Sequence, residues 1–314
     1  MTKNAYFFID DVIWCMRDIT RQKPASIFDI PFMSVLKEAH DKYGMTVQLN
    51  LFYRTDFYYG NDEFTLADMT DAYKAEWEAN SDWLKLAFHA KQEFPDYPYV
   101  NADYADVKAN CEDILKEIRR FAGEKSIAYV LVPHWLPISK EGCQALADCG
   151  IKIVSPSSGE RTEYNGDPTS LPYGHAGRLL QNRKPETMLF TRKTKNKAIA
   201  ASISAYNHIT AEQAAATKGN FLAVKDKETG VFFKNLGGGP TVNLNNIDAF
   251  EPAYKERDGE EFIGTGTHEQ YFYSDYYAYQ PDTAEKILKM AEVLTGLGYT
   301  YITADDIILE EYNG

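Results

Sequence analysis

The stretch AYFFIDDVIWC, Ala5 to Cys15, is an apolar run that ends in two adjacent carboxylates, Asp10 and Asp11. Aromatic and β-branched side chains suit a buried, pleated surface, whereas an ionised acid resists leaving water. A buried strand that stops at two acids therefore hands them to a place where the fold changes character. The same arrangement recurs: "LKLAF" delivers His89, "SIAYVLVP" leads to Pro133, His134 and Trp135, and "EFIGTGT" ends at His268. Between these runs lie amphipathic stretches. "IFDIPFMSVLKEAHDKYG" reads as a helix closed by Gly44 and is followed by a second strand, "MTVQLNLFY"; "LADMTDAYKAEWEANSDW" reads as another helix. Val107, Cys111, Ile114, Leu115 and Ile118 form an apolar stripe at three- and four-residue steps, as do Ile287, Met290, Ala291, Leu294 and Leu297 before a last strand in "YTYITADDI". Strands alternating with helices predict βα units around a largely parallel sheet, whose carboxyl ends form the ligand face.

A chain of 314 residues can bury one large core, and residues 1–314 are read as one domain, with 160–260 as a β-rich insertion or subdomain within it. That region is polar and rich in Gly, Asn and Thr, with short strand-like runs such as "TMLFT" and "GVFF". The net charge of −13 argues against a nucleic-acid partner, which needs clustered Lys and Arg. Cys15, Cys111, Cys143 and Cys149 have no zinc or redox spacing, so they are read as reduced and mostly buried, which fits a cytoplasmic protein. The residues before Tyr6 do not read as a charged-then-apolar leader, and no apolar run approaches the roughly 20 residues of a membrane span, so a protein that is not exported is expected. No membrane partner is expected.

Asp10/Asp11, His89, His134 and His268 are the candidate chemical groups, and Glu93 shares a helical face with His89 if "FHAKQEFPDYPY" turns helically. One carboxylate, one imidazole and a second carboxylate could hold a divalent metal with positions open for water. Each group also has an ordinary structural reading: the acids as a cap or turn pair, the histidines as satisfied buried groups, Glu93 as solvated surface. The dense tyrosines of "HEQYFYSDYYAYQPD", Tyr271 among them, suit a carbohydrate groove or plain rim packing. "LGGGP", Leu236 to Pro240, lacks the Lys-Ser/Thr of a phosphate loop and is read as a turn. His175 and His208 fall in the polar region, and His175 is read as a loop histidine.

The order of these elements resembles the polysaccharide deacetylase superfamily, the NodB-homology type of carbohydrate esterase (family 4), over roughly Ala5 to Ser155 and Glu261 to Ile308. "FFIDD" resembles the first motif, His89 with Glu93 the second, and "GTHEQ" before "AEKILKMAEVLTGLGYTYITADDI" the last. The second motif departs from the family pattern, having Glu93 where the family has a second histidine. "VLVPHWLP" departs too, lacking the arginine the family places near that proline, a post His134 could take. The resemblance implies a distorted (β/α) barrel and a metal-dependent deacylase acting on a saccharide or similar small polar substrate. It implies Asp11, His89 and Glu93 as metal ligands, Asp10 as general base and His268 as general acid. His134, Trp135 and Tyr271 are read beside these as substrate-binding residues. The ion would be zinc, manganese, cobalt or magnesium, a carboxylate at Glu93 shifting preference towards the harder ions. Two other readings remain open, a carbohydrate-binding barrel without turnover and a metal-dependent oxygenase.

Overall fold

The computed structural model describes residues 2–56, 62–93, 98–99, 102–156, 208–276 and 279–314. The first strand, β1 (Lys3–Val12), sits inside a parallel sheet with β2 (Val47–Phe52), β3 (Leu84–Ala90), β8 (Phe262–His268) and β9 (Tyr299–Tyr301). Strands β4 (Val130–Leu131), β5 (Ile153–Val154), β6 (Leu222–Lys225), β7 (Phe232–Phe233) and β10 (Glu310–Glu311) make a second sheet, parallel except where β6 meets β7. Two bridges join the sheets into a distorted barrel. Ala128 N donates to Leu86 O at 2.8 Å between β3 and the approach to β4, and Gly239 N donates to Gly264 O at 2.8 Å beyond β7.

The second bridge explains "LGGGP". A Cβ on Gly264 would lie 1.6 Å from the Leu236 carbonyl oxygen, and one on Gly239 would lie 2.3 Å from Thr265 Oγ1. The segment is the barrel's seam, and only bare backbone lets it approach β8 so closely.

Period-two alternation sorts the strand side chains. Ala5, Phe7 and Ile9 of β1, Val47, Leu49 and Leu51 of β2, and Leu84, Leu86 and Phe88 of β3 pack in the outer core. They meet Leu36 of α2 (Pro31–Tyr43), Ile114 and Ile118 of α4 (Tyr104–Phe121), Leu146 of α5 (Lys140–Asp148) and Met290 of α8 (Thr283–Gly296). Tyr6, Phe8, Ala87, Val130, Ile153 and Phe262 form a separate cluster within the barrel. Continued two residues at a time, that inner row reaches Asp10 on β1, His89 on β3 and His268 on β8, so the alternation aims all three inward.

The helices differ from expectation in two places. Ile30 is extended because Pro31 follows it, so the first predicted helix divides into a short 3-10 turn, Ile27–Asp29, and α2. "LADMTDAYKAEWEANSDW" yields only a 3-10 turn, Leu66–Asp68, and α3 (Lys74–Ala79). There the Arg120 guanidinium donates to the Leu66 and Met69 carbonyls, giving them partners that a continuing helix would otherwise supply.

Residues 160–207 of the predicted insertion, with "TMLFT" and His175, lie outside the described residues. From 208 onward the chain supplies α6 (Ala211–Ala216), β6, β7 and α7 (Phe250–Lys255). His208 stacks on Phe233 at 4.8 Å and its Nε2 bonds the Ile138 carbonyl. All four cysteines are free, with Cys15, Cys111 and Cys143 buried. No helix among the described residues is long and apolar enough to cross a membrane.

Candidate metal centre and its cavity

Strand β1 does not stop cleanly at its acids. Its register against β2 shifts between Ile9 and Val12, and Asp11 takes a left-handed backbone with φ of 62°. Such a bulge re-aims side chains, and aspartate tolerates the conformation better than most residues. Asp11 thus turns towards the site instead of following its neighbour Ile9 to the outer face. Past the bulge, α1 (Trp14–Gln22) begins without a side-chain cap of its own. Glu269 fills that role from the end of β8: its Oε2 accepts from Ile13 N and Trp14 N at 2.7 and 2.9 Å, and its Oε1 from Cys15 N at 2.6 Å. Burial pushes the Glu269 carboxyl up to about 7, against the pull of those N–H groups.

Three ligand-type atoms converge beneath the bulge. His89 Nε2 lies 3.1 Å from Asp11 Oδ1 and 3.1 Å from His134 Nδ1, and His134 Nδ1 lies 3.2 Å from Asp11 Oδ1. The outer ring nitrogens are committed elsewhere: His89 Nδ1 donates to the Val132 carbonyl at 2.7 Å, and His134 Nε2 donates to the Glu93 carbonyl at 3.0 Å. Neutral imidazoles held in those tautomers turn two lone pairs and a carboxylate oxygen towards one another. A cation satisfies such a set. Bonds of about 2.0–2.1 Å in a tetrahedral site separate ligand atoms by roughly 3.3 Å, near the spacings found here. Burial alone would raise the Asp11 carboxyl, but the positive charge that His134 carries when protonated, with hydrogen bonds from His134 and His89, outweighs it and holds Asp11 well below the usual carboxylate range; a bound cation would take the place of that charge, with the imidazoles neutral.

His134 therefore stands in the set that the sequence resemblance fills with Glu93, and Glu93 contributes its backbone carbonyl to orient that histidine. Glu93 is not among the three converging groups. His134 reaches its post through an unusual loop, since Trp135 and Leu136, neither of them glycine, both have left-handed backbones with φ of 66° and 73°. Strain of that kind concentrates where a site must be shaped.

Asp10 lies beside the three, buried, and its carboxyl is raised by that burial, with His89 and His268 opposing. It ends a hydrogen-bond chain through the barrel. Tyr6 OH donates to Gln48 Oε1 at 2.5 Å, Gln48 Nε2 donates to Asn50 Oδ1 at 2.7 Å, and Asn50 Nδ2 donates to Asp10 Oδ1 at 2.6 Å. Gln48 and Asn50 went unremarked in the sequence, yet "VQLNL" alternates polar and apolar residues in a strand buried throughout. Polar residues on the inner face of such a strand need partners, and that was the available signal. His268 is pushed down by burial while Asp11 and Asp10 pull it up, and its Nδ1 pairs with Asn243 Oδ1 at 3.1 Å.

A cavity of about 350 Å³ opens over these groups. Asp10, His89, His134 and His268 supply its reactive wall, Phe8 and Trp135 its aromatic surfaces, and Gly237 to Gly239 of the seam its opposite side. Tyr271 does not line it. That ring is buried edge-on to His268 at 6.0 Å between centroids and supports the imidazole from outside.

A distorted (β/α) barrel with titratable groups gathered at the carboxyl ends of its strands is the class of structure these observations define. No protein-family model matches the sequence, and no curated protein matches it. Among solved structures, the chain is similar to 4-alpha-glucanotransferase from Thermococcus litoralis, with 11% identity and a TM-score of 0.53. The match covers 98% of this chain and 40% of that one, so this chain spans well under half the transferase's length. Carbohydrate esterases of family 4 recur among the similar structures. One from Streptococcus mutans has 11% identity and a TM-score of 0.45, over 96% of this chain and 85% of that one. A family pseudoenzyme from Bacillus anthracis has 8% identity and a TM-score of 0.45, over 99% and 66%. These likenesses concern the fold.

Proposed function

We propose that the chain is a metal-dependent hydrolase that removes an acyl group from an amide or ester of a saccharide or similar small polar substrate. The carrying observation is the convergence of Asp11, His89 and His134 at the wall of a cavity that His89, His134, Asp10 and His268 line, with Asp11 buried behind it. Two imidazole nitrogens and one carboxylate oxygen suit zinc or cobalt better than magnesium, which prefers an all-oxygen shell. Held by Asp11, His89 and His134, a divalent ion would lower the pKa of water towards about 7 and polarise an acyl oxygen. Asp10, held by Asn50, would accept a proton from the attacking water. His268, its Nδ1 fixed by Asn243, delivers a proton to the departing amine or alcohol. Trp135, Phe8 and the bare backbone of the glycine seam offer flat surfaces to a sugar ring. Residues 1–314 are taken as one domain, a reading supported by the position of β8 and β9 beside β1.

The test compares metal content and hydrolysis of acylated model sugars in wild type, Asp11→Ala and Asp10→Asn. The reading expects near-stoichiometric metal in wild type, none in Asp11→Ala, and retained metal without turnover in Asp10→Asn. Wild type that takes up no zinc, cobalt or manganese would refute it and leave a sugar-binding barrel as the better account. Metal binding with saccharide binding but no turnover would favour that same alternative.

A further inference from the structure

We infer that Gln270 makes Asp11 a one-oxygen metal ligand and thereby keeps coordination positions open for water and substrate; this rests on the metal-site reading above. Gln270 Nε2 donates to Asp11 Oδ2 at 2.6 Å, while Asp11 Oδ1 faces both imidazoles at 3.1 and 3.2 Å. A carboxylate with both oxygens free to turn can chelate a cation; one whose second oxygen holds a short, charge-assisted hydrogen bond presents a single lone-pair site. The amide orientation is fixed by chemistry, because the reversed amide would set its oxygen against Oδ2, acceptor against acceptor.

Gln270 is fully buried, and its Oε1 has no hydrogen-bond partner among the described residues. A side chain serving only packing would avoid that orphaned acceptor, so the amide is explained by what its nitrogen does. The backbone beneath it is held too. Gln270 lies in the 3-10 turn Glu269–Phe272, and the Glu269 carboxylate ties that turn to the N–H groups just past the bulge. The donor and the ligand are thus fixed to one another from β8 and β1.

The test is the visible spectrum of the cobalt(II)-loaded protein, with the zinc dissociation constant measured by chelator competition, for wild type and Gln270→Met. Methionine keeps the length and loses the donor. The expected result is a several-fold loss of visible intensity as Asp11 becomes bidentate and the ion's coordination number rises. Zinc binding should weaken by roughly 10–100-fold, the usual range for an outer partner. Unchanged spectrum and affinity in a variant whose wild type binds cobalt would overturn the role of Gln270 alone. Wild type that binds neither ion would overturn the site reading as well. Gln270→Leu is the second variant; loss of folding in both would make Gln270 a stability residue and also overturn the inference.

Discussion

His134 Nδ1 stands 3.2 Å from Asp11 Oδ1, so the loop after β4 and the bulge that ends β1 meet at one point. If these two residues share an ion, His134→Ala should lower zinc affinity as severely as His89→Ala, beyond the roughly 10–100-fold typical of an outer partner. Glu93→Gln should leave zinc affinity close to wild type, because the group that orients His134 is the Glu93 backbone carbonyl. Chelator competition on the three variants decides the matter. A Glu93→Gln protein that loses its metal would restore Glu93 as a ligand.

Asn50 donates to Asp10 at 2.6 Å and favours its ionised form, opposing the burial that raises it. Asn50→Leu removes that donor, so the Asp10 carboxyl should rise further. A general base works only when ionised, and the acid limb of kcat/KM should therefore move to higher pH while metal content is unchanged. At a pH below the new limb the rate should fall at least several-fold. A limb that stays in place would separate Asp10 from the proton-accepting role.

Lys234 is fully buried, donates to the Thr217 carbonyl at 2.8 Å and lies 4.7 Å from the Phe262 ring centre. Burial pushes its ammonium down to about 8 from an ordinary 10.5. Between those values the unfolded chain binds the proton more readily than the folded one, so wild-type stability should rise as pH climbs from about 8 to 10.5. Below pH 8 the penalty is complete and constant. Lys234→Met lacks this dependence, and the difference in unfolding free energy between the two proteins should change by about 3 kcal/mol across that window. Urea titrations of both proteins at pH 7.5, 9 and 10.5 would show it; a constant difference would mean that Lys234 stays charged when folded.

Gly264→Ala places a methyl group 1.6 Å from the Leu236 carbonyl oxygen, which is backbone and cannot rotate away. The seam must part, and a loss of about 3 kcal/mol or more is expected, at the upper end of overpacking effects. Gly44→Ala is the control: it meets nothing within 4 Å and strains only its left-handed φ of 65°. Its cost should be about 1 kcal/mol. Equal melting temperatures for the two variants would show that the seam is loose.

Local pattern already determined much of this arrangement. Alternation along "AYFFID" and "LKLAFHA" decides that Asp10 and His89 face the side of the strand opposite to Ile9 and Phe88, and "EFIGTGTH" does the same for His268. A two-residue repeat follows from strand geometry alone and is written into each segment. What the sequence left undecided was which other groups meet them. His134 became a member of the cluster through two consecutive left-handed residues, Trp135 and Leu136, whose identities carry no such signal. "LGGGP" became a barrel seam because β8 passes against it, and the strand ends Glu269 and Gln270 found the α1 cap and Asp11 across the β1–β8 boundary. Periodicity fixes the face on which a side chain lies, since it depends on neighbours in the chain. The partner on that face depends on register, bulges and closure, which arise only when distant segments pack together.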